Sequence, residues 1–460
     1  MNKLLLSCIA ALSLSCQSNA VRDLEEYRLS LPKTNFSTTN NSIENLIVNE
    51  QTIEELIKKN NGVLIAHYNL EASKARYELQ SSDYGIKSFL KIVPSRNADE
   101  GNYSNRETID FSIQQDFPFG GNLEIVNREK FVEEKDNELV LRFSLPLPFS
   151  NKASQRRLTI IRQMHELNRA NNEYIKQLRN KHREVKENLY EFNYRVSLVG
   201  IQNEFILELQ IINSIISETN TEQALKEYKT DSAEAQNEIE SRNSKETNAE
   251  ISLKSSLGIS IDSKLDFISP KYVEENFEKE VERKVIELDP DLNTLASQSL
   301  VAKEQLKTSN IGRSPDVYFT GEYGRNLTRE KENWGVGLGI ELNLFDSGKN
   351  KALQKEGENI LQATNLGIEQ RINELSSSTK RELLNISEAK QRYLNSSEIV
   401  SNAKASYSGA LELLKENKTS YSETRRLLEK YRDGQDDLNK SLRDYLQAKA
   451  RLEIMTGRVD

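Results

Sequence analysis

Cysteine is nearly missing from this chain of 460 residues: Cys8 and Cys16 are the only two. The chain beyond residue 16 therefore makes no internal disulfide and no cysteine metal site. Long apolar runs are missing too. Leu4 to Leu14 is too short to span a bilayer as a helix. It follows Lys3 and precedes Ser18-Asn19-Ala20, a small-x-small cleavage pattern, so residues 1–20 read as an export signal. An exported chain without a transmembrane helix can cross a membrane only through strands. An excess of basic charge is also absent: 63 Lys and Arg face 71 Asp and Glu, a net charge of −8, which argues against nucleic acid as a partner. Only three histidines occur, His67, His165 and His182, all in helical stretches and read as surface or packing residues. Phosphate-loop, zinc-protease and nucleophile-elbow motifs are absent, so no enzyme, metal or cofactor is expected.

Proline is missing from Phe149 to Ile268 and from Lys349 to the end, which leaves room for very long helices. What precedes each proline-free stretch is a strand. In Trp334-Gly-Val-Gly-Leu-Gly-Ile-Glu-Leu-Asn-Leu-Phe345, apolar residues alternate with glycine or polar ones, the period of a strand with one apolar face. Leu139-Val-Leu-Arg-Phe-Ser-Leu-Pro-Leu-Pro-Phe149 is the earlier counterpart. Phe149 to Leu257-Gly258 and Phe345 to Thr456-Gly457 are nearly equal spans, so the chain reads as an internal duplication. The mean hydropathy of −0.67 is low for a large globular core and suits a long, thin helical assembly.

The expected organisation is a polar tether over 21–42, a first repeat over 43–258, a linker over 259–272 and a second repeat over 273–457. A helix is expected from Thr52 to Tyr84 through Leu56, Val63, Leu70 and Tyr77. Strand signals follow within 86–145, at Ile86–Val93, Thr108–Phe117, Asn122–Asn127 and Leu139–Leu145, with a polar loop at Ser95–Glu107 and a turn at Phe117–Gly121. The second repeat offers a helix from Val273 to Ser309, interrupted near Asp289-Pro290, then strands Asp316–Gly324 and Asn333–Leu344 around a polar loop, Arg325–Glu332. The long helices, 151–217 and 349–415, each span about 100 Å at 1.5 Å per residue. In the second, Ile386, Tyr393, Val400, Tyr407 and Leu414 recur every seven residues with Ala389, Ser396, Ala403 and Ala410 three further on, a seam for close helix packing. Each long helix ends at a polar hinge, Glu218-Thr-Asn220-Thr221 or Glu416-Asn417-Lys-Thr-Ser420, and return helices are expected over 221–257 and 420–456. Asn220 and Asn417 suit the left-handed position that ends a helix, and Ser420 with Glu423 suits a capping box.

Asp289-Pro290-Asp291-Leu292, Ser314-Pro315-Asp316-Val317, Trp334 through Gly348, and Leu452-Glu-Ile-Met-Thr-Gly457, in this order and spacing, resemble the outer-membrane efflux protein family, the TolC-like channels. The resemblance implies an α+β membrane protein: a trimeric outer-membrane β-barrel continued by a long periplasmic α-helical coiled-coil barrel, with two internal repeats. It implies a passive exit duct for efflux or type I secretion that docks a periplasmic adaptor (membrane fusion) protein and an inner-membrane pump. Glu218, Asn220, Thr221, Leu414, Asn417, Lys418 and Thr419 are then candidates for the periplasmic tip and gate, and Trp334 and Phe345 for interfacial aromatics in contact with outer-membrane lipid. Members often carry tyrosine, glycine and arginine at the second tip. The matching positions here are Leu414, Asn417 and Thr419, and charged Lys415, Glu416, Lys418, Glu423, Arg425 and Arg426 stand nearby as substitutes.

Three readings stay open. Cys16 closes the leader's apolar core as in a lipoprotein signal, although Ser13 stands where such signals carry leucine, so the mature chain starts at an acylated Cys16 or at Val21. The first repeat has four strand signals instead of two. Twelve strands per trimer is the expected barrel and eighteen the alternative. A coiled-coil structural protein of the periplasm or cell surface, with no pore, is the other functional reading; it has no need of the Trp334–Leu344 strand.

Overall fold

The computed structural model describes residues 45–48, 50–82, 84–99, 102–117, 121–131, 136–146, 151–218, 222–267, 272–273, 280–311, 316–341 and 348–457. The described chain opens with β1 (Asn45–Val48), which enters the unit Leu46–Asp460 at its second residue, followed by α1 (Glu50–Lys58) and α2 (Asn61–Ser82). Four strands follow: β2 (Ile86–Asp99), β3 (Asn102–Asp116), β4 (Asn122–Phe131) and β5 (Asp136–Pro146). Next come α3 (Asn151–Glu218), α4 (Glu222–Leu257), β6 (Lys264–Phe267), α5 (Val281–Glu287) and α6 (Pro290–Ile311). Strands β7 (Asp316–Asn326) and β8 (Lys331–Glu341) lead into α7 (Lys349–Lys415) and α8 (Tyr421–Met455). α3 has 68 residues and α7 has 67. Among the described residues, no helix is long and apolar enough to cross a membrane.

Several elements differ from the sequence expectation, each for a local reason. The helix expected over 52–84 is broken at Lys59–Asn60, where the Asn60 side chain accepts from Gly62 N at 3.0 Å. Asn bonding to nearby backbone competes with the helical ladder. Ser95–Glu107 is no loop: β2 and β3 continue in register until Asp99 faces Asn102. Unbroken cross-strand pairing carries polar residues along with the apolar ones below them. Likewise Arg325–Glu332 shrinks to a turn, because Arg325 faces Glu332 and Asn326 faces Lys331 across the β7–β8 hairpin. The Asn326 carboxamide oxygen closes this turn, accepting from Thr328 N and Arg329 N.

Asp289-Pro290 interrupts the helix as expected of a proline at a first helical position. Asp289 Oδ1 accepts from Leu292 N at 2.8 Å, and both carboxylate oxygens are held by Arg371 of α7. The return helices end alike: Gly258 and Gly457 have φ of 72° and 74°, the left-handed stop that glycine takes without strain.

β2–β3–β4–β5–β7–β8 form one antiparallel sheet in that order, and β1 pairs with β6 separately. The junction of distant sequence is β5 with β7, from Glu138 opposite Asn326 to Pro146 opposite Tyr318. Among the described residues, two cores stack along the helices. One gathers Val281, Val285, Leu375, Ile386, Ala389, Tyr445, Leu446, Ala448 and Leu452. The other, nearer the hairpin ends, gathers residues of α3, α4, α7 and α8.

Candidate functional site

Two regions carry chemistry a plain helical bundle would not need: the sheet and the hairpin end. Opposed residues of an antiparallel sheet share a face, so the register sorts every strand. One face carries Ile86, Leu90 and Ile92 of β2, Ile109, Phe111 and Ile113 of β3, and Leu123 and Ile125 of β4. It continues through Leu139, Leu141, Phe143 and Leu145 of β5 and Val317, Phe319 and Tyr323 of β7. On β8 it ends with Trp334, Val336, Leu338 and Ile340, all more than half exposed.

The opposite face is polar, with cross-strand ion pairs. Arg128 donates to Asp110 at 2.9 and 3.2 Å. Arg142 lies between Glu124 at 3.9 Å and Glu322 at 3.4 Å, and Lys87 is 3.8 Å from Asp116. Val126 and Val140 interrupt it, buried beside Gly324. A wall apolar on one side and ionic on the other separates lipid from water. The β3–β4 turn is fixed to the helical end: Phe117 N donates to Gly121 O at 2.8 Å, and Arg156 Nη1 of α3 donates to Phe117 O at 3.0 Å.

At the far end, α3 and α7 turn back into α4 and α8. Asn417 has φ of 56°; its N–H reaches Leu414 O at 3.0 Å, and Lys418 N reaches Leu413 O at 2.8 Å, a paired helix stop. Asn417 and Lys418 are exposed and Thr419 is half-buried. Leu414 is buried in the core with Phe205, Leu209, Ile212, Ile216 and Leu428. Ser420 Oγ accepts from Glu423 N at 3.2 Å, but the Glu423 carboxylate binds Arg426 at 2.6 Å, so the capping box has one half only. Lys418 pairs with Glu416 at 2.6 Å. Asn220, Thr221, Phe345 and Cys16 lie outside the described residues, as does the side chain of Glu218.

Two buried tyrosines that the sequence reading did not name as site residues tie one hairpin to the other. Tyr407 of α7 donates to Glu208 Oε2 of α3 at 2.7 Å, and Tyr421 of α8 donates to Asp231 Oδ2 of α4 at 2.6 Å. Burial and then the bonded carboxylate push both hydroxyls far above the ordinary tyrosine range, so both stay protonated donors. Arg425 Nε adds an ion pair to Asp231 at 2.9 Å, off the line of a hydrogen bond. Gln435 and Tyr431 of α8 both reach Glu204 of α3, at 3.1 and 3.5 Å. The signal was available: a tyrosine in a buried seam needs a partner for its hydroxyl. The partners lie some two hundred positions away, beyond any spacing rule.

The six-stranded sheet and the long helical hairpins are an arrangement found in other proteins. Residues 283–458 match the family model described as outer membrane efflux protein. Solved structures share the fold, among them the following three. The CmeC outer membrane channel of Campylobacter jejuni is 11% identical with a TM-score of 0.62, covering 94% of each chain. The MtrE outer membrane channel of Neisseria gonorrhoeae is 12% identical with a TM-score of 0.62, covering 89% of this chain and 88% of its own. The outer membrane protein VceC of Vibrio cholerae is 13% identical with a TM-score of 0.58, covering 89% and 96%. No curated protein matches in sequence. The resemblance read from the sequence is thus to the outer-membrane efflux proteins, and the fold is TolC-like.

Proposed function

We propose that the protein is an efflux-type outer-membrane channel: three copies pool their strands into one barrel, and their helices continue it into the periplasm as an exit duct. The observation that carries this reading is the sheet, apolar on one face and ionic on the other, with open edges at β2 and β8. Open edges are not tolerated in lipid, so the sheet must be closed by further copies. Exposed apolar side chains along α7, among them Leu366, Leu384, Ile399 and Leu413, give neighbouring copies something to cover. Trp334 then sits at the lipid interface with Tyr323 opposite it, and Phe345 is assigned to the other rim. The two repeats supply one hairpin each, so a trimer presents six hairpins for a periplasmic adaptor and, through it, an inner-membrane pump. The Asn417 turn and its counterpart at Asn220 form that docking and closing end. A poreless coiled-coil spacer has no use for the strand wall. Acylation of Cys16 is a second, independent membrane attachment, checked by mass spectrometry of the mature N-terminus; a free Val21 rules it out. The channel reading is tested on detergent-purified protein. A trimer by mass and low-conductance pores in planar bilayers are expected, and a stable water-soluble monomer without pores overturns it.

A further inference from the structure

The apolar face does not stop where a twelve-strand barrel would need it to. With β4, β5, β7 and β8 as the wall, the β2–β3 hairpin would project beyond it and face water on both sides. Instead, Ile86, Leu90 and Ile92 on β2 and Ile109, Phe111 and Ile113 on β3 continue the same apolar face in unbroken register with β4. The polar face continues too, Asp110 pairing with Arg128 across β3–β4. The apolar band also steps along successive strands. Ile92 and Ile109 share a row with Glu129 and Asn137, whereas Val317 and Ile340 lie at the opposite end of the register. A band that runs obliquely to the rows is what a membrane of fixed thickness cuts from tilted, staggered strands.

The two edges fit each other. The six strands alternate in direction, so β8 of one copy runs antiparallel to β2 of the next once the ring closes. On its polar face β8 has no side chains of its own at Gly335, Gly337 and Gly339. Within the chain such bare positions are covered by rings of the neighbouring strand. A Cβ on Gly339 would lie 2.2 Å from the Tyr318 ring, and one on Gly321 would lie 2.1 Å from Phe143. A Cβ on Gly337 would lie 3.0 Å from Thr320 Oγ1, so of the three β8 glycines Gly335 alone has nothing within 4 Å. On β2 the polar face carries Lys87, Phe89 and Lys91, and Phe89 is 47% exposed, a large apolar ring on the wrong side. Setting the apolar bands of β2 and β8 at one height brings Phe89 level with the glycines. An aromatic ring laid over cross-strand glycine stabilises an edge pair.

We infer that all six strands of each chain belong to the barrel, which closes as an eighteen-strand ring with Phe89 of one copy lying beside the uncovered Gly335 of β8 of the next. This rests on the trimeric channel proposed above. For strands about 4.8 Å apart and tilted about 40°, such a ring is about 36 Å across between backbones, against about 24 Å for twelve strands. The open area more than doubles, which suits bulky or polypeptide cargo.

Disulfide trapping tests it in whole cells. Gly335→Cys, which meets no neighbouring atom within the chain, is combined in one chain with Phe89→Cys or Lys91→Cys on β2, or with Glu124→Cys on β4. No other cysteine follows residue 16. Each single variant is first required to reach the wild-type yield of trimer. A covalent trimer on non-reducing gels from a β2–β8 pair, and none from β4–β8, is expected. A covalent trimer from β4–β8 overturns the eighteen-strand ring while leaving the channel intact. No trapping together with a monomeric native mass overturns both.

Discussion

Asn417 is a single residue on which a hairpin turns. Its φ of 56° is tolerated by asparagine and free for glycine, but strained for a β-branched side chain. Asn417→Gly is expected to preserve function. Asn417→Val is expected to cost on the order of 1–2 kcal/mol locally and to raise resting leak or lower dye efflux, with trimer yield unchanged. If valine abolishes the trimer, the turn is part of the assembled core and not of the tip. A different residue is expected to contribute to acid sensitivity. His182 on α3 is 2% exposed, and its Nε2 makes no hydrogen bond. Burial, followed by Lys186, pushes its pKa down to about 4, with Glu54 opposing and Lys58 adding to the shift. The unfolded chain therefore takes up this proton first. Stability is full above pH 6.5 and declines as pH falls toward 4, by at most about 3 kcal/mol. Urea midpoints across that range should show a loss that His182→Leu largely removes; equal slopes in both proteins would assign the acid sensitivity to carboxylates.

Helices and strands were unequally legible. The long helices could be read from missing prolines and seven-residue spacing because that information is local. Strand ends could not: β2 and β3 outrun their apolar residues because pairing, not composition, decides where they stop. The tip was half visible. Asn417 and Ser420 announce themselves by backbone preference, whereas Tyr407–Glu208 and Tyr421–Asp231 join residues whose proximity follows only from the packed helices. These contacts link elements and should be tested as such. Tyr421→Phe leaves Asp231 with only its misaligned Arg425 partner. The expected loss is about 1–3 kcal/mol, read as a lower thermal midpoint and faster proteolysis at the hairpin ends; an unchanged midpoint would make the contact incidental. Further along the same helices, Arg242 of α4 donates to Asp436 of α8 at 2.7 and 3.1 Å, and to Leu198 O of α3. Arg242→Met strands a partly buried carboxylate and should cost roughly 3 kcal/mol. Adding Asp436→Leu should recover much of that loss in the same denaturation assay.

At the scale of the whole molecule, the β5–β7 seam has a temporal meaning. Its partners, Glu138–Pro146 and Tyr318–Asn326, are separated in the chain by all of α3, α4, α5 and α6. β2 to β5 form a meander of neighbours, able to pair as soon as they emerge. Strand β7 cannot join until the intervening helices have been delivered, and until then β5 is a raw edge beneath an apolar face. On the channel reading proposed above, newly exported chains should therefore pass through a protease-sensitive, aggregation-prone stage that ends only when residue 326 is across the inner membrane. Pulse-labelled chains halted before β7 should remain digestible and be retained by periplasmic holding factors, while chains extending past β8 become resistant. The order of the strands makes the wall slow to build, since the same long-range pairing that unites the sheet forces half the protein to wait for the other half.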